Sequence, residues 1–364
     1  MTSELRATSV DATVIGAGPA GALAARQLAQ RGLNVLLIDK CAFPRDKVCG
    51  CCISPAAAQM LDIAGLSDLL DDFGAMPLHE LQVASGHMRL SVPLEGARSL
   101  SRKVLDQALV EAAIGAGVKF LPQCNARVGA TGSDCAQVLL THSQSGQKPV
   151  PVASKIVLVA DGIGGTSLQS HPEFSADVRA ASRIGTGTIS LQAADSFGAG
   201  SIFMACGAGG YLGLVRLEDG STDVAAAFDP VFLGQMGGCA QAATRLLLEC
   251  GWTVPSDIAD IRWQGTVPLT RRRRAIATTR VFVIGDAASY LEPFTGEGIG
   301  WALSSALSVV PLAIQAVRRW DESLIWRWEH TYAHVIRQRQ RSTRIVTEVL
   351  RHSGLVSLAG NLFN

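Results

Sequence analysis

The sequence predicts an α/β protein with a Rossmann-like three-layer domain, a second, β-rich domain and a C-terminal helical segment. Three observations favour this fold class. Near the N-terminus, a glycine turn joins a short apolar strand to an alanine-rich helix and a second apolar strand, at 11–38. Two later apolar runs end in Asp-Gly and Gly-Asp, at 156–162 and 281–286. Residues 76–100 alternate between apolar and polar, and 180–265 is strand-like, which indicates antiparallel sheet.

Composition limits the classes of function. The 364 residues are enough for two domains of about 100–200 residues each. No run approaches the ~18–20 apolar residues of a membrane span, and the N-terminus lacks a basic segment with a cleavage site, so we expect a cytoplasmic location. The net charge of +1 favours no nucleic-acid partner. The nine cysteines are interpreted as reduced thiols, and no metal is predicted because the cluster at 49–52 has no partner cluster of suitable spacing.

The glycine turn predicts a dinucleotide site. Gly16 allows the tight turn, Gly18 lets the backbone approach a pyrophosphate, and Gly21 allows the helix to pack closely on the strand. The helix start directs N–H groups and a positive dipole end at the phosphates. Asp39, 21 residues after Gly18, is placed to accept hydrogen bonds from ribose hydroxyls. The alternative is an ordinary glycine-rich turn between a strand and a helix.

A second motif favours FAD over NAD as the dinucleotide. Asp286 follows Gly285 at the end of a late buried strand, where its carboxylate could bind a ribityl chain. The segment 293–298 then delivers a helix N-terminus, which would stabilise negative charge on a reduced flavin. Asp161-Gly162, at the end of a third strand, suits another close approach of the backbone to the cofactor.

In this order, the motifs resemble flavoproteins of the aromatic-hydroxylase fold, which share a glutathione-reductase-type FAD domain. Within that group, FPRDKVCG at 43–50, SRKVLDQALVEAAIGAG from Ser101 and GDAASYLEPFTGEGIGWAL at 285–303 resemble the geranylgeranyl reductase family. Motifs and resemblance together give these expected cofactor-binding residues: Gly16, Gly18, Ala20, Gly21, Asp39, Lys40, Arg45, Cys49, Gly50, Arg102, Val128, Asp161, Gly162, Gly285, Asp286, Pro293, Gly296, Gly298 and Ile299.

The resemblance implies an FAD-dependent oxidoreductase acting on a hydrophobic small molecule, such as an isoprenoid or polyketide-like lipid. Hydride would leave flavin N5, and electrons would come from NAD(P)H, bound transiently because no second GxGxxG follows, or from another donor. One alternative is a monooxygenase that hydroxylates an aromatic or phenolic substrate through a C4a-hydroperoxyflavin. A second alternative is a flavin-binding protein without turnover. Halogenation is disfavoured because Trp263-Gln264-Gly265-Thr266-Val267-Pro268 contains one tryptophan where the halogenase signature has two.

Cys49 is the candidate catalytic residue. In the family, the matching cysteine lies close to the flavin, where a thiol could donate a proton or a hydrogen bond. The alternative is a small buried residue that packs in the loop. Many family members have glycines after this cysteine, so Cys51 and Cys52 are expected to occupy space beside the cofactor.

The domains are expected to interrupt each other. We assign 1–75, 101–170 and 266–318 to the FAD-binding domain, 76–100 and 171–265 to the β-rich substrate domain, and 319–364 to C-terminal helices. The run Arg271–Arg274 is interpreted as a solvated loop, with an anion site as the alternative. A helix with Arg337, Arg339, Arg341, Arg344 and Arg351 either packs on the domain or makes a peripheral membrane contact. The oligomeric state is left open.

Overall fold

A computed structural model describes residues 9–142, 148–193, 196–292, 294 and 296–341. Arg344 and Arg351 of the tail lie outside the described residues, as does Pro293. In chain order the strands are β1 (Ser9–Ile15), β2 (Val35–Ile38), β3 (Cys52–Ile53), β4 (Met76–Ser85), β5 (Met88–Ser99), β6 (Lys119–Leu121), β7 (Cys124–Thr131), β8 (Ala136–His142), β9 (Val150–Val159), β10 (Ala176–Val178), β11 (Ile184–Ser190), β12 (Ser201–Gly207), β13 (Gly210–Arg216), β14 (Thr222–Phe228), β15 (Gln264–Pro268), β16 (Arg271–Arg273), β17 (Ala277–Thr278), β18 (Val281–Val283) and β19 (Ser289–Tyr290). The α-helices are α1 (Pro19–Ala29), α2 (Pro55–Ile63), α3 (Leu69–Asp72), α4 (Arg102–Gly115), α5 (Pro230–Met236), α6 (Cys239–Glu249), α7 (Gly298–Arg318) and α8 (Ser323–Tyr332).

The first sheet has the strand order β17-β18-β9-β1-β2-β6, and its strands from β18 to β6 are parallel. Parallel strands covered on both faces are continuously apolar, and all four residues of β2 are buried. The helices α4 and α7 both pack against α1. The carboxyl ends of β1, β2, β9 and β18 meet at one edge, which brings together the segments that begin at residues 16, 39, 160 and 284. The expected α/β fold class is confirmed.

The second sheet has the order β15-β11-β14-β13-β12-β4-β5-β3 and is antiparallel except where β12 runs parallel to β4. Its strands alternate between two faces. One face carries Leu212, Leu214 and Phe228 and packs against Leu246 and Leu247 of α6. The opposite face is turned towards the edge of the first sheet. Residues 217–221 join β13 to β14 as a hairpin.

Some sequence expectations differ from the structure. Residues 230–249, within a stretch interpreted as strands, form α5 and α6. Apolar residues at 242, 243, 246 and 247 have the helical spacing that identifies the buried face of α6. The hairpin of β7 and β8 was not predicted. The boundary assigned at 266 falls inside β15, and β3, from the segment assigned to the FAD domain, pairs with β5 of the second sheet.

The arginine run is also different from its expected form. Arg271–Arg273 is a strand, β16, which pairs with β10 and β19 in a third, three-stranded sheet. Arg273 donates hydrogen bonds to the backbone carbonyls of Ala287 and Phe174, both at 2.7 Å. Its guanidinium thereby satisfies two backbone acceptors beside this strand. The interpretation as a solvated loop was therefore wrong.

The helix α7 corrects the expectation that no segment is long and apolar enough to span a membrane. Its 21 residues pass that test by length and composition, with a mean hydropathy of 1.5. However, 72% of that apolar stretch is buried inside the protein, where α7 packs against α1 and α2. Its apolarity is accounted for by its place in the core. The tail beyond it begins with α8, whose Trp328 donates to the carbonyl of Val283 at 3.1 Å.

Candidate cofactor and active site

The glycine turn is built by close backbone approach. A Cβ on Gly16 would lie 2.3 Å from the carbonyl oxygen of Ala160, and one on Gly21 would lie 1.8 Å from the carbonyl oxygen of Gly16. Gly16 also has φ +101, which favours glycine. In contrast, a Cβ on Gly18 would meet only two guanidinium nitrogens, Nη2 of Arg45 and Nη2 of Arg102, each at 3.7 Å. Gly18 therefore leaves open the space next to two cations.

Four charged side chains surround this space. Asp39 accepts a hydrogen bond from the backbone of Ala17 at 2.8 Å, which ties the end of β2 to the turn. Asp106 is fully buried and binds Arg102 through both oxygens, at 2.8 and 2.9 Å, and Arg45 at 3.1 Å. Ser101 starts α4 by accepting from the N–H of Val104, and so fixes Arg102 at the first helical position. The carboxylate of Asp106 thereby holds two guanidinium groups over Gly18.

The ends of β9 and β18 bring a second charged group to the same edge. Gly162 has φ +73, and a Cβ there would lie 3.5 Å from Nζ of Lys47. Burial lowers the pKa of Lys47 and raises the pKa of Asp286. The positive charge of Lys47 acts against this rise at Asp286. One oxygen of Asp161 accepts from the N–H of Ser167 at 3.1 Å, and the other is buried without a hydrogen-bond partner among the described residues.

The start of α7 closes this edge. Gly285, at φ +58, packs closely against Ala20, because a Cβ added at Gly285 would lie only 2.8 Å from the Cβ of Ala20. Gly296 has φ +72, Gly298 is the first residue of the helix, and Ile299 is buried. Among the described residues, no side chain makes a capping hydrogen bond at the helix start, which leaves its first N–H groups able to donate to an acceptor.

This arrangement fits FAD. The space over Gly18 is bordered by two guanidinium groups suited to a pyrophosphate, and the Nε of Arg45 is buried without a partner among the described residues. Asp39 and Asp286 lie at strand ends where sugar and ribityl hydroxyls could donate to them. Lys40 and Gly50 are exposed. Val128 has its N–H bonded to Ser167 and its carbonyl to His171, so its expected role in cofactor binding remains a prediction.

Cys49 lies in a group of polar side chains between the two sheets. A hydrogen bond from the Cys51 thiol lowers the pKa of Cys49, and the positive charge of Arg102 acts in the same direction against burial. The same hydrogen bond, together with burial, raises the pKa of Cys51. Cys51 also hydrogen bonds to Asp223 of β14, whose pKa burial raises well above its ordinary value. These interactions favour the thiolate form of Cys49 and the protonated forms of Cys51 and Asp223.

The two following cysteines differ in their surroundings, and their expected place beside the cofactor stays a prediction; a Cβ at Gly296 would lie 3.4 Å from the Cβ of Cys52. Cys51 is 2% exposed and packs with Leu78, Val215 and Leu217 of the second sheet. Its backbone reaches that position with φ +51, which is uncommon for a residue with a side chain. Cys52 belongs to β3, and its thiol donates to the carbonyl of Gly50 at 3.0 Å. All nine cysteines are free.

An apolar floor lies next to this group on the inner face of the second sheet. Gly187, Ala225, Gly213 and Met204 are aligned across four strands by the registers of the sheet. Ala225 and Gly213 are half-buried, whereas their flanking residues in the same strands are buried. The side chain of Met204 lies over Gly213, where a Cβ would be 2.8 Å from the Met204 Sδ. The neighbouring row contains Asp223, and the row on the other side contains Tyr211.

The far end of the floor has an aromatic and polar border. Tyr211 packs edge-to-face on Phe294, with the ring centroids 5.0 Å apart. The guanidinium of Arg183 lies 5.6 Å from the Tyr211 ring and forms a buried ion pair with Glu292 at 2.9 Å. Burial and the charge of Glu292 raise the pKa of Tyr211, which keeps its hydroxyl neutral. The Nε of Arg183 is buried without a partner among the described residues.

Sequence reasoning missed several of these residues. Asp106 could have been found, because it is four residues after Arg102 in a predicted helix and so lies on the same face. Asp223 had a weaker signal, as an acid in the otherwise apolar strand TDVAAAF. Lys47 lay within a motif already considered. The pairing of Arg183 with Glu292 spans 109 residues and had no local signal.

Comparison with known proteins places the chain among FAD-binding proteins. The FAD binding domain family matches residues 9–193, just over half of the chain. A menaquinone reductase from Mycolicibacterium smegmatis is 26% identical over 338 residues, covering 82% of this chain and 75% of the relative. A digeranylgeranylglycerophospholipid reductase from Methanosphaera stadtmanae is 26% identical over 324 residues, covering 86% and 80%.

Solved structures show the same fold. A flavoprotein/dehydrogenase from Cytophaga hutchinsonii superposes with a TM-score of 0.79 at 17% identity, covering 96% of this chain and 87% of the other. A myxobacterial chondrochloren halogenase gives a TM-score of 0.77 at 20% identity, covering 90% and 79%. At these identities the likeness concerns the fold alone.

The expected resemblance to the geranylgeranyl reductase family is confirmed by the reductases among the relatives. The chain belongs to the FAD binding domain family and is an FAD-dependent oxidoreductase.

Proposed function

We propose that this protein reduces a carbon–carbon double bond or a quinone ring in an apolar, isoprenoid-type molecule that lies on the floor of Gly213 and Ala225. The observation that carries the proposal is the position of this floor, bordered on one side by the protonated pair Cys51 and Asp223 and on the other by Tyr211. The relatives named as menaquinone and digeranylgeranylglycerophospholipid reductases support this substrate class.

The cofactor is expected to be held by the groups around Gly18. Arg45 and Arg102 would bind the pyrophosphate, Asp39 the ribose and Asp286 the ribityl chain. FAD, when bound, supplies a hydride equivalent, and NAD(P)H or another donor replenishes it. Lys47, near both Gly162 and Asp286, would balance negative charge at that edge.

Reduction of a double bond also requires a proton, and the chain holds protons at two buried atoms near the floor. Burial raises the pKa of Asp223, and the hydrogen bond to Cys49 together with burial raises the pKa of Cys51, so both groups favour their protonated forms. We expect a proton to pass from this pair through Cys49 to the substrate. Cys49 is then the catalytic residue, and Asp223 is a positioning residue that returns the proton.

The apolar surroundings determine the kind of substrate. Leu81, Val83 and Met204 from the second sheet and Ile163 from the segment after β9 form one cluster with Tyr211 and Phe294. A polyprenyl chain or quinone ring buries apolar area against such a surface, at about 25 cal/mol per Å². Burial of the chain also excludes water from the reacting carbon.

Hydroxylation of a phenolic substrate is the second candidate, and one observation favours it. Arg183 has a buried Nε without a partner among the described residues, next to the neutral hydroxyl of Tyr211. Together these donors could bind and orient a phenolate oxygen. They would orient a quinone oxygen equally well, so the reaction product distinguishes the two candidates.

The test is an anaerobic turnover with NADPH in deuterated water, followed by mass analysis of the product, using a menaquinone and a polyprenyl alcohol. We expect a polyprenyl alcohol to gain two hydrogens at carbon, at least one of them deuterium from solvent, and a reduced quinone ring to gain two hydroxyl hydrogens that both exchange with solvent. Aerobic turnover of a phenol with gain of one oxygen atom would support hydroxylation. Protein that retains FAD but converts none of these compounds would refute both candidates. Asp223→Asn should slow product formation without loss of FAD.

A further inference from the structure

A basic cavity lies apart from the glycine turn, between the three-stranded sheet and the last described helical residues. Its volume is about 360 Å³. Five arginines line it: Arg179, just after β10, Arg271 and Arg272 of β16, and Arg337 and Arg341 of the helical tail. We call these residues the arginine pocket. A second cavity of about 340 Å³ shares Arg272, Arg337 and Arg341 and adds His330 and His334.

Among the described residues, the positive charge of Arg271, Arg272 and Arg337 is poorly balanced by negative charge. Asp177, which also lines the arginine pocket, is bound to Arg274 at 3.0 Å, and Arg274 does not line the cavity. Glu329 acts on Arg337 from the helix. No side-chain hydrogen bond or ion pair joins Arg271 or Arg272 to another residue of the described chain. In a chain of net charge +1, this concentration of cations is local rather than general.

The geometry around Arg337 points to an anion. Burial and the nearby positive charge of Arg272 lower the pKa of Arg337. Its Nε is buried without a hydrogen-bond partner in the described structure, while its guanidinium lies 5.7 Å from the Tyr332 ring. Two guanidinium groups that repel each other and retain free N–H donors would both be stabilised by one multivalent anion.

Different uses of neighbouring arginines strengthen this interpretation. Arg273 binds backbone carbonyls and Arg274 binds Asp177, so these two residues support the sheet. Arg271 and Arg272 of the same strand instead face the cavity. Tyr290 lines the cavity and also packs in the apolar cluster with Tyr211 and Phe294, so the cavity and that cluster share this residue.

We propose that the arginine pocket binds a phosphate or diphosphate group, next to the active site but separate from the groups that hold the flavin nucleotide. Such a group has two sources: the head group of a lipid in an anionic membrane, or a free phosphate ester such as the 2′-phosphate of a nicotinamide dinucleotide. The site would exist whichever reaction the enzyme catalyses.

The first experiment is calorimetric titration of the FAD-loaded protein with inorganic pyrophosphate at low and high salt. We expect binding that weakens with salt, because screening reduces attraction between exposed charges. Arg272→Gln and Arg337→Gln should each lower the affinity about tenfold, the loss expected for one charge-assisted contact. The control Arg245→Gln removes an exposed arginine of α6 that binds Glu249, and should change nothing.

Two further probes distinguish the sources. The first is 2′,5′-ADP, and the second is vesicles of equimolar phosphatidylcholine and phosphatidylglycerol in a sedimentation assay. If 2′,5′-ADP or the vesicles bind the wild-type protein but not Arg272→Gln, that result identifies the source of the phosphate group and supports the proposal. Arg272 is exposed, so this variant should fold even if Arg337→Gln does not.

Absence of pyrophosphate binding, or equal binding by wild type and Arg272→Gln, would overturn the proposal. FAD content, measured from the absorbance spectrum of the same samples, separates this result from failure of the proposed reaction. The arginine variants should retain the flavin.

Discussion

A matched pair of glycine substitutions tests how the cofactor site is built. Gly18→Ala and Gly21→Ala each add one methyl group, three residues apart in the same turn. At Gly18 the methyl would lie 3.7 Å from Nη2 of both Arg45 and Arg102, an ordinary contact, and φ is −75. At Gly21 it would lie 1.8 Å from the carbonyl oxygen of Gly16, well inside the contact distance of any two atoms.

The two variants should therefore fail in different ways. For Gly18→Ala, the free energy of unfolding should fall by only about 0.5–1 kcal/mol, because alanine is a poorer helix N-cap than glycine. Its methyl group would occupy the space where a phosphate bridges the two guanidinium groups. Loss of one charge-assisted hydrogen bond costs about 1.5–3 kcal/mol, so FAD affinity should fall about ten- to a hundredfold. Gly21→Ala should lose about 3 kcal/mol or more, since α1 must move away from β1.

Urea unfolding of flavin-free protein measures the stability of each variant, and quenching of flavin fluorescence measures FAD affinity. Wild-type FAD affinity in Gly18→Ala would show that the space over Gly18 does not hold the pyrophosphate. Wild-type stability in Gly21→Ala would contradict the packing described for α1 and β1.

Three more substitutions test the charged groups of the site. Asp286→Ala should yield protein without bound FAD, whereas the control Asp62→Ala, at an exposed position of α2, should be purified with the flavin; equal FAD content in the two variants would refute the role of Asp286. Because the pKa of Cys49 is lowered to about 5, iodoacetamide should label its thiolate readily at about pH 6 in flavin-free protein. Arg102→Gln should slow this labelling relative to the exposed Cys135, as peptide mapping can measure, and an unchanged ratio would argue against the pairing of Cys49 with Arg102. Burial raises the pKa of Asp223 above its ordinary value of 3.8, so the folded protein keeps a proton on Asp223 at pH values where the unfolded chain has released it. The stability that this proton contributes is fully present below pH 3.8 and declines as the pH rises towards the raised pKa. Asp223→Asn should therefore unfold in urea with a smaller difference between about pH 5 and about pH 8 than wild type, and an equal difference would contradict a buried, protonated Asp223.

Local patterns were sufficient to predict the cofactor half of the site. The glycine turn, Asp39 and Asp286 were found because each is fixed by its position at the end of an apolar run, and parallel strands bring such ends to one edge. The helix after the glycine turn and the helix start at 293–298 were predicted from the same kind of local pattern and are observed as α1 and the start of α7.

The substrate half was not predictable in this way. The floor of Gly213 and Ala225 depends on which strands are neighbours, and its row joins residues from 187 to 225 through sheet registers that no local pattern specifies. The arginine pocket likewise joins β16 to a helical tail 66 residues further along the chain, counted from Arg271 to Arg337. Alternation alone could not assign α6, because its alanines and leucines suit a buried strand as well as a helix.

The segment from Cys41 to Ser54 explains why the two halves of the site are coupled. Arg45 and Lys47 reach the cofactor edge, Cys49 lies between the sheets, and Cys51 is buried against the second sheet. β3 then pairs with β5, so this one stretch is hydrogen bonded into the second sheet while its arginine is bonded to Asp106 of the first domain. Any shift between the domains must therefore move Cys49 relative to Arg102 or Asp223. The position of the thiolate is thus set by both domains at once, as expected for a group that transfers a proton between a buried acid and a substrate at the flavin.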